Sequence, residues 1–132
     1  MIPAELSLRD FGVLERATAH THVVDGKTYI TQSRLAFSGG QVIDVRLVEE
    51  TCELSVFVGP PEDDPSVGDE LPMLADCVGM TVSEVWWMEN SRGYLDGLQV
   101  QFWNDLTEGE PAFAFFGAQN AEIEVCVLAK KS

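Results

Sequence analysis

Val78–Trp103, VGMTVSEVWWMENSRGYLDGLQVQFW, is the stretch whose reading decides the fold. It reads as two strands joined by a turn. Alternation from Val82 to Asn90 places Val82, Glu84, Trp86 and Met88 on one face and Ser83, Val85, Trp87 and Glu89 on the other. Apolar side chains on both faces predict a central strand, covered on both sides. The return strand is cleaner. Leu98, Val100 and Phe102 point one way and Gln99 and Gln101 the other, the pattern of a strand with one wet face. Between them Asn90–Gly97 is longer than a two-residue loop, and Gly93 and Gly97 can take positive φ, so a bulge or wider turn is expected. Trp86, Trp87, Met88, Phe102 and Trp103 concentrate bulk here. Each large apolar side chain is worth roughly 1.5–3 kcal/mol when buried, so this hairpin is expected to lie in the middle of a pleated layer.

Gly79 before a strand, Trp86 or Trp87 within it, then Asn90, Gly93-Tyr94, Asp96 and the alternation of Leu98, Val100 and Phe102 resemble a group of small bacterial proteins of unknown function. The resemblance covers Leu35 to Trp103. Some proteins of that kind are suspected immunity or accessory proteins. The resemblance implies no activity and no catalytic residue.

Working back from the hairpin, Leu71, Leu74, Ala75 and Val78 recur at helical spacing, with Asp69 and Glu70 before them, Pro72 in the first turn and Gly79 at the stop. One short helix across the sheet is expected. Ahead of it, Pro60-Pro61 and the acidic run to Gly68 read as an exposed loop. Four strands precede that loop. Val13–Val24 alternates, Asp25-Gly26 is a tight hairpin signal, Thr28–Phe37 follows, Ser38-Gly39-Gly40 turns, Gln41–Val48 returns, Glu49-Glu50-Thr51 turns, and Glu53–Val58 closes an antiparallel meander. Residues 1–12 read as a short lead with one weak helical turn. Beyond the hairpin, Thr107–Pro111 is a turn, Ala112–Phe116 and Ala121–Leu128 are the last strands, and Lys130-Lys131-Ser132 is a solvated tail.

The chain has 132 residues, 45% of them hydrophobic, which suits one domain over 1–132 with its own core. The fold expected is α+β, mainly β: an antiparallel sheet or half-barrel of seven to eight strands with one short helix. The N-terminal MIPAELSLRDF lacks a basic patch followed by an apolar run, so no secretory signal is expected, although a mature chain with its signal removed would read the same way. No apolar run approaches the ~20 residues of a membrane helix. Cys52, Cys77 and Cys126 have no metal-type spacing and suit buried thiols in a reduced, cytoplasmic setting.

Charge is lopsided. There are 22 acids against 8 bases, for a formal net charge of −14. Between Leu47 and Ser91 there are eleven acids and no base. Such a field repels nucleic acid and anionic lipid and attracts a basic protein partner. The simpler alternative is that acidity serves solubility.

Three constellations are candidates for chemistry. His20 and His22 share a strand face, and with Asp25 they could hold a metal, although a pair of surface histidines reads the same way and a third histidine is absent. Asn90, Arg92, Tyr94 and Asp96 could line a pocket, with Arg92 holding an anion and Asp96 acting as acid or base. As turn residues they would instead bond the backbone, with Arg92 beside Asp96. Glu62, Asp63, Asp64, Asp69 and Glu70 could bind calcium, but they lack the order of a calcium loop and read better as a solvated acidic loop, in which Glu62, Asp63 and Asp64 could contact a basic partner. No nucleophile elbow, phosphate loop or dinucleotide fingerprint is present, and no cofactor is expected. Enzymatic chemistry is therefore left open, with the balance against it. The leading expectation is a non-enzymatic, immunity-like binding protein whose acidic segment, Glu49 to Asp76, meets a basic partner. The alternatives are a small half-barrel enzyme or ligand binder using His20, His22 or the Asn90–Asp96 loop, and a module that self-associates, as a homodimer through a sheet edge or through Phe113, Phe115 and Phe116.

Overall fold

A computed structural model describes residues 11–48, 50–61, 68–103, 111–119 and 122–129. Among the described residues nine strands are arranged in two antiparallel sheets, and these do not close into a barrel. β1 (Leu14–Val24), β2 (Lys27–Phe37), β3 (Val42–Val48), β4 (Glu53–Gly59) and the two-residue β5 (Asp69–Glu70) form one, in the order β4-β3-β2-β1-β5. β6 (Thr81–Glu89), β7 (Leu95–Trp103), β8 (Ala112–Gln119) and β9 (Glu122–Ala129) form the other, in chain order.

The meander expected from the turn residues is present. Asp25 and Gly26 both take positive φ, 52° and 79°, as a two-residue hairpin of this hand requires. The two sheets pack on one another, β4 against β7 and β8, and β2 and β3 against β9. A single cluster joins Leu35, Ile43, Val45 and Leu54 of the first sheet to Leu98, Val100, Phe102, Phe116 and Ile123 of the second. The alternation of β7 places Leu98, Val100 and Phe102 inside, each wholly buried. At one corner the layers are stitched together. Val13 bridges Thr81, the Leu14 N–H donates to the Met80 carbonyl at 2.8 Å, and the Gly79 N–H donates to the Leu14 carbonyl at 2.7 Å.

Three expectations are corrected. First, β6 is an edge strand of its sheet, not a central one. Its phase also breaks: Val82 pairs Phe102 but Glu84 pairs Gln101, so Ser83 is an extra residue. The Ser83 hydroxyl donates to the Gln101 carbonyl at 3.3 Å. After this bulge Val85 and Trp87 pack toward the core, while Trp86 stands 40% exposed. The anchoring rings are Phe102 and Phe116, both fully buried, rather than the indoles.

Second, the segment read as an α-helix is a 3-10 helix, Pro72–Cys77. Leu71 at its cap and Leu74 and Cys77 within it are buried, a spacing of three, while Ala75 and Val78 are exposed. Asp69 and Glu70 pair with Thr18 and Ala19 as strand β5 instead of capping a helix. The chain approaches β1 so closely there that a Cβ on Gly68 would collide with the Ala19 carbonyl, and Gly68 takes φ +74°.

Third, one sheet or half-barrel of seven or eight strands becomes two sheets. The lead at residues 1–10, Glu49, the acidic loop 62–67, the turn 107–110 and the tail 130–132 lie outside the described residues.

Candidate functional site

The outer face of the four-stranded sheet is the surface best equipped for recognition. Strand pairing sets its side chains in three rows. Trp86, Gln99, Phe115 and Cys126 are neighbours across the sheet. Glu84, Gln101 and Phe113 form the row on one side. Met88, Gly97, Gly117 and Glu124 form the row on the other. The two glycines matter to the relief of this face. A Cβ on Gly97 would lie 3.1 Å from Met88, and one on Gly117 would lie 2.9 Å from the Phe115 ring. Met88 and Phe115 therefore fold down onto bare backbone, where any side chain would crowd them.

Trp86 and Phe113 reach toward each other over the glutamines of β7, with centroids 6.4 Å apart and planes tilted by 41°. That separation and tilt lie within the range favoured by aromatic pairs. An open groove of about 470 Å³ is lined by Gln99, Phe113, Phe115 and Cys126. Cys126 is exposed there, against the expectation of a buried thiol. Phe113 and Phe115 share this face as the self-association reading expected, but Phe116 points the other way and is wholly buried.

The charge on this face has one sign. β6, β7, β8 and β9 contain no lysine, arginine or histidine. Glu84 and Glu124 are exposed on it. Glu122, at the start of β9, meets Lys27 across the layers at 3.7 Å.

The five-stranded sheet handles its charges differently. Asp44 is buried, at 2% exposure, and is ringed by donors. Gln32 Nε2 donates to its two oxygens at 2.9 and 3.2 Å, Arg46 Nε donates at 3.1 Å, and Arg34 Nη2 lies at 3.4 Å. Arg34 is itself buried. Inside a protein a charge must be met by its opposite and by hydrogen bonds, and this cluster satisfies that rule across two neighbouring strands.

The residues singled out from sequence lie on separate elements, β1 and the β6–β7 hairpin. His20 and His22 are both exposed on β1, and no group of three or more potential metal ligands gathers among the described residues. Asn90 closes the β6–β7 turn. Its Oδ1 accepts from the N–H groups of Arg92 at 2.9 Å and Tyr94 at 3.2 Å, and its own N–H donates to the Tyr94 carbonyl at 2.9 Å. Arg92 is exposed, and among the described ion pairs it makes none with Asp96. Glu62, Asp63 and Asp64 lie outside the described residues. Elsewhere the carboxylates stand outward: Glu50, Asp69, Glu70, Asp76 and Glu89 are exposed. Glu70 has Arg16 at 3.7 Å, a solvent-exposed pair.

The thiols divide by environment. Burial, with the charge of Asp76 adding to it, pushes Cys77 up from 9.0 to about 11. It stays protonated and unreactive at neutral pH. No helix among the described residues is long and apolar enough to cross a membrane.

What sequence reasoning missed was the grouping of Trp86 with Phe113, Phe115 and Gln99. The signal lay in the glutamines of β7 and the absence of bases from four successive strands. It stayed hidden because only the pairing register of β6, β7 and β8 brings these residues side by side, and because the Ser83 bulge parts Val82 from the outward set.

Residues 12–130 match the sequence model of a family of unknown function, DUF6334, and the chain belongs to that family. No curated protein and no solved structure matches it.

Proposed function

We propose that this member of the family is a non-enzymatic, cytoplasmic binding protein for a basic protein partner. One observation carries the reading. The outer face of the four-stranded sheet exposes Trp86 beside Phe113 and Phe115, between Glu84 and Glu124, in a sheet whose strands hold no base. Aromatic anchors flanked by carboxylates suit a partner that brings apolar contact and positive charge together. The formal charge of −14 would add to the rate of encounter, with a marked salt dependence.

The same surround weighs against face-to-face pairing of two copies, since Glu84 and Glu124 would then meet like charges. A half-barrel enzyme built on the histidines or the Asn90 turn draws less support, since the Asn90 amide is engaged with the backbone of its own turn and no group of three potential metal ligands gathers among the described residues. The test is capture of a defined partner by wild type and by Trp86→Ser and Glu84→Gln/Glu124→Gln variants, at low and high salt. Binding should fall with salt and with each variant. Salt-independent binding, or binding indifferent to all three positions, overturns the reading.

A further inference from the structure

We infer that the groove between Phe113, Phe115, Gln99 and Cys126 takes an arginine side chain of the basic partner, laid flat against the aromatic rings. The inference rests on the reading above and sharpens it to one residue type. The groove, at about 470 Å³ and open to solvent, has an apolar lining with a single polar side chain, the Gln99 amide. Its carbonyl oxygen is an acceptor for one N–H of a guanidinium. The rings of Phe113 and Phe115 offer faces, and Trp86 continues the aromatic surface beyond Phe113.

Glu84 and Glu124 stand at opposite corners of this patch, one in the row of Phe113 and the other in the row of Gly117. Neither can be neutralised by a basic neighbour in the four strands, because none exists there. A cation over the rings therefore gains from both carboxylates and from the ring quadrupoles. Arginine fits this better than lysine. Its guanidinium is flat, weakly hydrated and able to stack while donating sideways to an amide, whereas an ammonium is compact and strongly hydrated. The missing side chains at Gly97 and Gly117 let Met88 and Phe115 lie low, which keeps the groove open to a stem entering across the sheet.

The experiment is fluorescence anisotropy with three labelled, blocked peptides of one length. They are identical except for a central pair of arginines, lysines or citrullines, the last being the neutral isostere of arginine. The arginine peptide should bind about tenfold more tightly than the citrulline peptide, and measurably more tightly than the lysine one. Phe115→Leu and Trp86→Leu, which keep apolar bulk and remove the rings, should erase the preference for arginine over lysine while unfolding at the wild-type temperature. Equal binding of arginine and lysine peptides means that net charge alone is read, and overturns the inference. So does equal binding of arginine and citrulline, an unchanged preference in both variants, or no binding of any peptide. Should a basic partner still bind the double variant Trp86→Leu/Phe115→Leu in a salt-dependent way, the arginine groove fails while the acidic binding role stands.

Discussion

On the outer face of the five-stranded sheet Asp44 is met by Gln32, Arg34 and Arg46, whereas on that of the four-stranded sheet Glu84 and Glu124 stand beside aromatic rings without a base in any strand. The first arrangement answers its own charge internally. Among the described residues the second leaves Glu84 and Glu124 without an ion pair and sets them beside apolar surface. Electrostatics in the first sheet hold structure. In the second they are available to an outside molecule. The bases are distributed accordingly: Arg9, Arg16, Lys27, Arg34 and Arg46 all precede Leu47, and Arg92 alone lies between there and Lys130.

The contrast can be broken most sharply on a single strand. Phe115 and Phe116 are adjacent on β8 and face opposite ways. Phe116→Ala should cost about 3–5 kcal/mol by urea unfolding, because it empties the shared core. Phe115→Ala should cost less than about 1.5 kcal/mol, the worth of ring contacts on a partly open face. Similar losses at both positions would erase the distinction between inner and outer faces.

Next in size is the test of internal compensation. Asp44→Ala should destabilise by about 3 kcal/mol, since it removes a buried carboxylate from beside a buried arginine. Glu84→Gln should change stability by no more than about 0.5 kcal/mol. Matching values would mean that the two sheets use their carboxylates alike.

The connection between the layers has a test in alkali. The folded protein holds Cys77 protonated up to about pH 11, against 9.0 for an ordinary thiol. Between those values the unfolded chain binds fewer protons, so stability falls as pH rises. The part owed to this thiol is complete below pH 9 and is lost by about pH 11, on the order of 2 kcal/mol. Cys77→Ala, weaker throughout from its cavity, should show a correspondingly flatter decline over that window in denaturant titrations. A smaller loss than that at Cys77 is expected at the turn of the acidic sheet. Asn90→Ala removes an acceptor from two backbone N–H groups and should cost about 1 kcal/mol, with peptide binding to the neighbouring face unaltered.

Much of the β structure was legible because it is local. Asp25-Gly26 and Ser38-Gly39-Gly40 mark turns by backbone chemistry, and the alternation of Leu98, Val100 and Phe102 names its own inner face. The 3-10 helix was misread because Leu71 and Leu74 belong equally to periods of three and of 3.6, and only the burial of Cys77 and exposure of Val78 distinguish them. The bulge at Ser83 carries no compositional mark, so Val82, which faces the core, was grouped with Glu84, Trp86 and Met88, which face outward. The division into two sheets depends on β6 leaving the first layer to pair with β7 alone, a choice made by long-range packing. For the candidate site, the acidic bias and the pair Phe113 and Phe115 were visible in the chain, while their meeting with Trp86 required the pairing register.

The corner where Val13 bridges Thr81 has a consequence for how the chain reaches this state. Those partners are far apart in sequence, and closing so long a loop costs roughly 4 kcal/mol of chain entropy when no intervening strand has formed. The strands of the meander, by contrast, find their partners a few residues away. Assembly is therefore expected to begin with neighbouring hairpins and to tie the corner late, which makes refolding slow for the chain's length and makes it sensitive to changes near Leu14 and Met80 in rate.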